Sequence, residues 1–220
     1  MLRLNSRTRR LAASLSAVAG YVDSVGYLSL GGFFVSFMSG NSTRLGVAIA
    51  EHSAEALKAC GLIVIFVLGV AAGTVVARHA SRPQPVVIGC VAGTIGLAAL
   101  LSTMGYSTSA GFVLALAMGV ENAAFISDGG LPVGLTYMTG TLVKMGQQIG
   151  SITTRTEIWQ WWPYAAHWFA LLTGAIGGGL AFGTLGAAAL WPAALAAAVI
   201  ALIAHRTATA PALNATAAPK

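Results

Sequence analysis

Charge is what this sequence has least of. Its 220 residues hold six Asp or Glu and twelve Lys or Arg, 8% charged in all, where a soluble globular domain carries about 25%. Cysteine is nearly missing too. Cys60 and Cys90 stand far apart inside apolar runs with no C-x-x-C pattern, which argues against a disulfide scaffold or a metal cluster. The common enzyme signatures are absent: no H-E-x-x-H, no G-x-S-x-G, no P-loop and no G-x-G-x-x-G opening a helix after a strand. No catalytic activity, cofactor or resident metal is therefore expected. The net charge of +6 is scattered over short loops and tails, so it makes no continuous basic face for nucleic acid.

What is present is apolar: 56% of residues, with a mean hydropathy of +0.78. A chain this size has too little interior to hide so much apolar surface from water, so its solvent is lipid. A bilayer core of ~30 Å needs about 20 mainly apolar residues per helix. Six stretches qualify: 11–31, 60–78, 86–104, 110–127, 163–183 and 186–204. Ser81-Arg82-Pro83-Gln84-Pro85 and Gly105 to Ser109 read as loops, and Trp191-Pro192 opens the last span. The four arginines, apolar run and Ala17-Val18-Ala19 at the start resemble a signal peptide. The apolar segment continues to Leu30, so it is expected to be an uncleaved first span.

Basic residues set the orientation. With the N-terminus inside, Arg3, Arg7, Arg9, Arg10, Arg78, Arg82, Lys144, Arg155, Arg206 and Lys220 fall on the inner side, and Arg44 and Lys58 outside. Both termini are then cytoplasmic. An eight-span alternative, with 33–50 and 133–150 also crossing, puts Arg78 and Arg82 outside. Trp159, Trp161, Trp162 and Tyr164 form an interfacial belt before the fifth span. His167 is expected to be hydrogen-bonded packing.

The chain also resembles itself. Phe37-Met38-Ser39-Gly40-Asn41-Ser42-Thr43-Arg44-Leu45-Gly46 recurs one hundred positions on as Tyr137-Met138-Thr139-Gly140-Thr141-Leu142-Val143-Lys144-Met145-Gly146. Asp23 and Gly31-Gly32 match Glu121 and Gly129-Gly130 two residues short of that spacing, with an insertion around Pro132. Gly69-x-x-x-Gly73 matches Gly174-x-x-x-Gly178 five residues beyond it. Three spans per half is an odd number, so the halves enter the membrane inverted. The expected fold is an all-α polytopic membrane protein with six spans in two inverted three-helix repeats, and a functional site near the midplane. The divisions are a basic N-terminus at 1–10, repeats at 11–105 and 106–204, and a disordered tail at 205–220. Glycine pairs at Gly69/Gly73, Gly89/Gly93, Gly174/Gly178 and Gly179/Gly183 are expected to let helices approach closely.

Gly20, Asp23, Ser24, Tyr27 and Gly31 share one face of the first helix, and Glu121 beside Asn122 holds the equivalent place in the fourth. An ionised carboxylate at the bilayer centre costs at least ~2.5–3.5 kcal/mol, so it needs a partner or a wet cavity. Two readings follow. One is a proton or cation site. The other is a pair of carboxylates neutralised by Arg44 and Lys144 to fix packing. The repeated motifs are expected to be re-entrant or broken helices, interrupted at Gly40 and Gly140. Ser39/Asn41 and Thr139/Thr141 would then receive free N–H groups at a helix start, and the positive end would favour a polar or anionic solute. Their alternative is an interfacial helix whose cation snorkels to headgroups.

The run Ala19 to Tyr27 and Phe34 to Gly46, with Tyr137 to Gly146, resembles the YoaK-like family of bacterial inner-membrane proteins over roughly 11–204. Ser42 departs from it, standing where Thr is expected. The resemblance implies an inner-membrane location and a kindred fold, and no substrate or site. The sequence thus points to passage of a small polar or ionic solute across the bilayer, channel-like or proton-coupled. The candidate contacts are Asp23, Asn41, Arg44, Glu121, Asn122, Thr141 and Lys144. A non-transporting membrane scaffold or assembly partner is the alternative, and a homo-oligomer is compatible with either.

Overall fold

The computed structural model describes residues 6–125, 136–152 and 159–208. Among them the regular structure is helical throughout: α1 (Ser6–Ser29), α2 (Met38–Ala50), α3 (Glu55–His79), α4 (Pro83–Thr103), α5 (Ser107–Glu121), α6 (Met138–Gly150), α7 (Trp162–Leu185) and α8 (Leu190–Ala208). A 3-10 turn at Gly186–Ala189 joins the last two. Gly129-Gly130, Pro132, Arg155 and most of the C-terminal tail lie outside the described residues.

Local chemistry sets the ends. α1 stops at Gly31 and Gly32, with φ of +72° and +90°, a region costly for any side chain. α4 starts one turn earlier than its apolar run, because Pro83 and Pro85 sit in the first turn, where a missing N–H costs nothing. The expected five-residue loop therefore shrinks to Ala80–Arg82. Gly105, at φ +89°, ends the turn after α4, and Gly186 ends α7. The basic residues Arg7, Arg9 and Arg10 already belong to α1, and α8 stays helical past the expected start of the tail at 205.

Four helical stretches are long and apolar enough to cross a membrane by length and composition: α1, α3, α4 and Trp162–Thr207, which holds α7 and α8. α5 is a shorter apolar helix of 15 residues that stops at Glu121, short of the expected 127. α2 and α6 have 13 residues each, or ~20 Å, which is too short for a ~30 Å core. Unlike α5, neither is apolar enough to stand even among the shorter apolar helices, which counts against the eight-span alternative.

α1 packs against α7, α3 against α5, and α4 against both α5 and α8, while α2 lies on α3 and α6 on α7. Lipid provides no hydrophobic drive between helices, so close backbone contact holds them together. Gly69 and Gly73 lie against the backbone of Leu116 and Val120, and Gly119 against that of Phe66. Gly174 and Gly178 lie against Ala17 and Tyr21, and Gly20 against Leu171. Contacts advance together along each pair, so α1 runs parallel to α7 and α3 parallel to α5. The other two expected pairs do no such packing: nothing lies within 4 Å of a side chain added at Gly89, Gly93, Gly179 or Gly183.

The start of α1 meets the end of α8. Arg7 donates to the carbonyls of Thr207 (3.1 Å) and Ala204 (3.4 Å), a cation at the negative end of α8. His167 is buried beside the Ser16 hydroxyl, 3.0 Å from Nε2, which agrees with packing. Trp159 and Trp162 are exposed, as an interfacial belt requires.

Candidate functional site

The irregular segment 30–37 between α1 and α2 would be costly in a membrane unless its backbone groups found partners. Four side chains supply them. Lys58 donates to the Leu30 carbonyl at 2.7 Å and Arg44 to that of Gly32 at 2.8 Å. Asn41 clasps the Phe34 residue, accepting from its N–H at 3.0 Å and donating to its carbonyl at 2.7 Å. Asp23 Oδ1 accepts from the amides of Val35 and Ser36, both at 2.8 Å. Phe33 is fully buried beneath two cations, 4.0 Å from Arg44 and 4.8 Å from Lys58.

This arrangement corrects several expectations. Arg44 pairs with Glu55 at 3.2 Å and not with Asp23, so mutual neutralisation of those two groups is not what fixes the packing here. Nor does Arg44 extend alone toward headgroups. Asn41 is fully buried and engaged with Phe34, leaving it no approach to a solute. Gly40 and Gly140 do not break their helices; they sit in the first turns of α2 and α6. There they make room for the rings of Phe34 and Phe37, and of Tyr137, that a Cβ would strike. Neither helix start has a side-chain cap, so Ser39 and Thr139 do not play the capping role. The hydroxyls of Ser42 and Thr43 bond carbonyls of their own helix.

Asp23 stands out because it also faces a cleft. Gly20, Asp23, Ser24, Tyr27 and Leu28 of α1, Phe34, and Leu171, Ala175 and Gly179 of α7 line an open cleft of about 370 Å³. Four of the five residues foreseen on that helical face thus share a wall of the cleft, while Gly31 lies past the end of α1 and does not line it. The rings of Tyr27 and Phe34 pack at a tilt of 40°, 4.9 Å between centroids. Ser24, Tyr27, Phe34 and the pair Lys58 and Glu55 were missed as site residues. The i, i+3, i+4, i+7 spacing from Gly20 was the signal for the first two. Lys58 and Glu55 carry none, since their roles arise from the return of α3 beneath segment 30–37.

The second half is sparser. Glu121 is fully buried, and neither carboxyl oxygen has a hydrogen-bond partner among the described residues. Asn122 donates to the Met118 carbonyl of its own helix, and buried Thr141 to that of Tyr137. Lys144 is exposed. The structure therefore gathers Asp23, Asn41 and Arg44 around one segment, and does not join Asn122, Thr141 or Lys144 to one another by any hydrogen bond.

Over residues 11–203 the sequence matches a family model described as a protein of unknown function, DUF1275. The UPF0700 transmembrane protein RA0705 of Rhizobium meliloti (strain 1021) is 38% identical over 187 residues, which cover 85% of this chain and 81% of that relative. No solved structure matches.

Proposed function

The chain belongs to the DUF1275 family of proteins of unknown function, and from that premise we propose that this multi-pass membrane protein passes a small polar or ionic solute across the bacterial inner membrane. The observation that carries the reading is the cleft at Asp23. Asp23, the one acid of α1 and well past its basic first turns, forms part of the wall of a cleft between α1 and α7, and intramembrane acids are retained where they line a pathway or bind a charge. YoaK-like kinship and cytoplasmic termini belong to the same reading.

Two inverted halves are part of it, with α1, α2, α3 and α4 corresponding to α5, α6, α7 and α8. The support is a repeated interface: Gly174 on Ala17 and Gly178 on Tyr21 have as counterparts Gly69 on Leu116 and Gly73 on Val120, and Gly20 on Leu171 has Gly119 on Phe66. Each half thus lends its first helix to the other half's third. α3 starts where α1 ends, as Lys58 on the Leu30 carbonyl requires, so α1 and α5 run in opposite senses. Six crossings also put Arg7 and Thr207 on one face, in keeping with their hydrogen bond. The same register carries Asp23 onto Asn122, and Glu121 onto Val22. In this reading only the first half carries an acid at this position, and Glu121 is a separate feature.

Reconstitution in liposomes tests the proposal. Asp23→Asn retains an oxygen for the Val35 and Ser36 amides and removes the charge, so it should lower solute flux at least tenfold while the protein stays folded. Unchanged flux across a broad solute panel contradicts the reading. A scaffold role has its own support, since Asn41, Arg44 and Lys58 all serve the fold internally. It requires a membrane partner that copurifies with the chain.

A further inference from the structure

We propose that the Asp23 cleft binds a small organic cation, an ammonium group carrying a few carbon atoms. The inference deepens the solute-passage reading and rests on the same cavity. Asp23 is the charged residue lining it, and the rest of the wall is Ser24 and Tyr27 with apolar or aromatic neighbours. Among the described residues no cation forms an ion pair with Asp23. Arg44 is engaged with Glu55 and the Gly32 carbonyl, and Lys58 with the Leu30 carbonyl. The Asp23 carboxyl at the cleft is held in place by the two backbone amides, and a cation from outside the chain would supply the counter-charge that no side chain among the described residues gives it.

The surrounding surface narrows the class. Tyr27 and Phe34 lie side by side at the cleft, and an ammonium within about 6 Å of an aromatic ring is attracted to its face. A hydrated metal ion would want several oxygen ligands. The wall offers one carboxylate and two hydroxyls beside Leu28, Leu171 and Ala175, which suits an alkylated ammonium better. A volume of about 370 Å³ admits a molecule of several heavy atoms. The ammonium can come from a free amine or from the headgroup of an ethanolamine lipid, since both present the same chemistry.

Ethylammonium chloride is the probe for the free amine, with sodium chloride at equal ionic strength and ethanol as controls, using the full chain in detergent. A hundredfold excess over Kd should raise Tm by about 5–10 °C. Asp23→Asn should weaken binding at least tenfold. Tyr27→Leu with Phe34→Leu should weaken it several-fold with the carboxylate in place, which keeps the test decisive if Asp23→Asn fails to fold. Nanodiscs of phosphatidylglycerol, with and without phosphatidylethanolamine, separate the sources: competition by the ethanolamine lipid assigns the headgroup, and its absence assigns the free amine. No shift with ethylammonium and no lipid effect, or equal binding by Asp23→Asn, overturns the proposal. If cations fail while Asp23→Asn still alters the flux of another solute, the transport reading survives alone. Binding without flux leaves the cation site standing and removes transport.

Discussion

Single residues divide by what their polar atoms touch. Asn41 makes both of its strong hydrogen bonds to one half-buried residue, Phe34, so Asn41→Ala should destabilise the chain by about 2–4 kcal/mol, from the lost bonds and the backbone groups left unpaired. Chemical unfolding in detergent measures it. Glu121 is the opposite case, with both oxygens buried and unpartnered among the described residues. Glu121→Met should raise the unfolding midpoint, because removing an unpaired buried polar group relieves its desolvation cost. A lowered midpoint would show that the carboxyl has a stabilising partner. The sequence made Asp23 conspicuous, because a charge in an apolar run needs a physical reason. It also made Asn41 and Arg44 conspicuous, but residue type alone does not tell a ligand contact from a backbone clasp. Phe34 and Gly32 decide that, and their carbonyls leave no trace in the sequence.

Among elements, the long apolar helices were legible from length and hydropathy, and their punctuation from Gly31, Gly105 and Pro83. The glycine pairs were half legible. The i, i+4 spacing marks a narrow helix face and says nothing about which way it points: Gly69/Gly73 meet α5, while Gly89/Gly93 meet open space. Gly73→Ala should therefore cost about 1–3 kcal/mol, since its new Cβ would lie 2.8 Å from the Val120 carbonyl oxygen. Gly93→Ala should be neutral or slightly stabilising, as Ala favours helix. Equal effects in an unfolding titration would contradict the α3 and α5 interface. The short helices α2 and α6 were harder to foresee, because their polar centres fit a re-entrant, interfacial or broken helix equally well. Their 13-residue length decides against full spans.

In the proposed reading the whole molecule is two halves that exchange their first helices. The motif at Phe37 and Tyr137 suggests the duplication; matching Asp23 and Gly31-Gly32 with Glu121 and Gly129-Gly130 sets a register one residue away from the one the packed glycines support in the proposed reading. Chemical likeness is a weaker guide to register than close contact, because a backbone approach tolerates no one-residue slip. Such an exchange would also account for a cleft built by α1 and α7, distant in sequence. Inversion of the two halves is the claim on which this picture depends, and side-specific cysteine labelling in intact cells tests it most directly. With exposed Cys60 and Cys90 replaced by serine, cysteines are placed singly at Ser81, between α3 and α4, and at Ala187, the corresponding turn between α7 and α8. An impermeant maleimide should reach Ala187→Cys from outside and leave Ser81→Cys unlabelled until the cytoplasm is opened. Labelling of both positions from the same side would contradict the inversion.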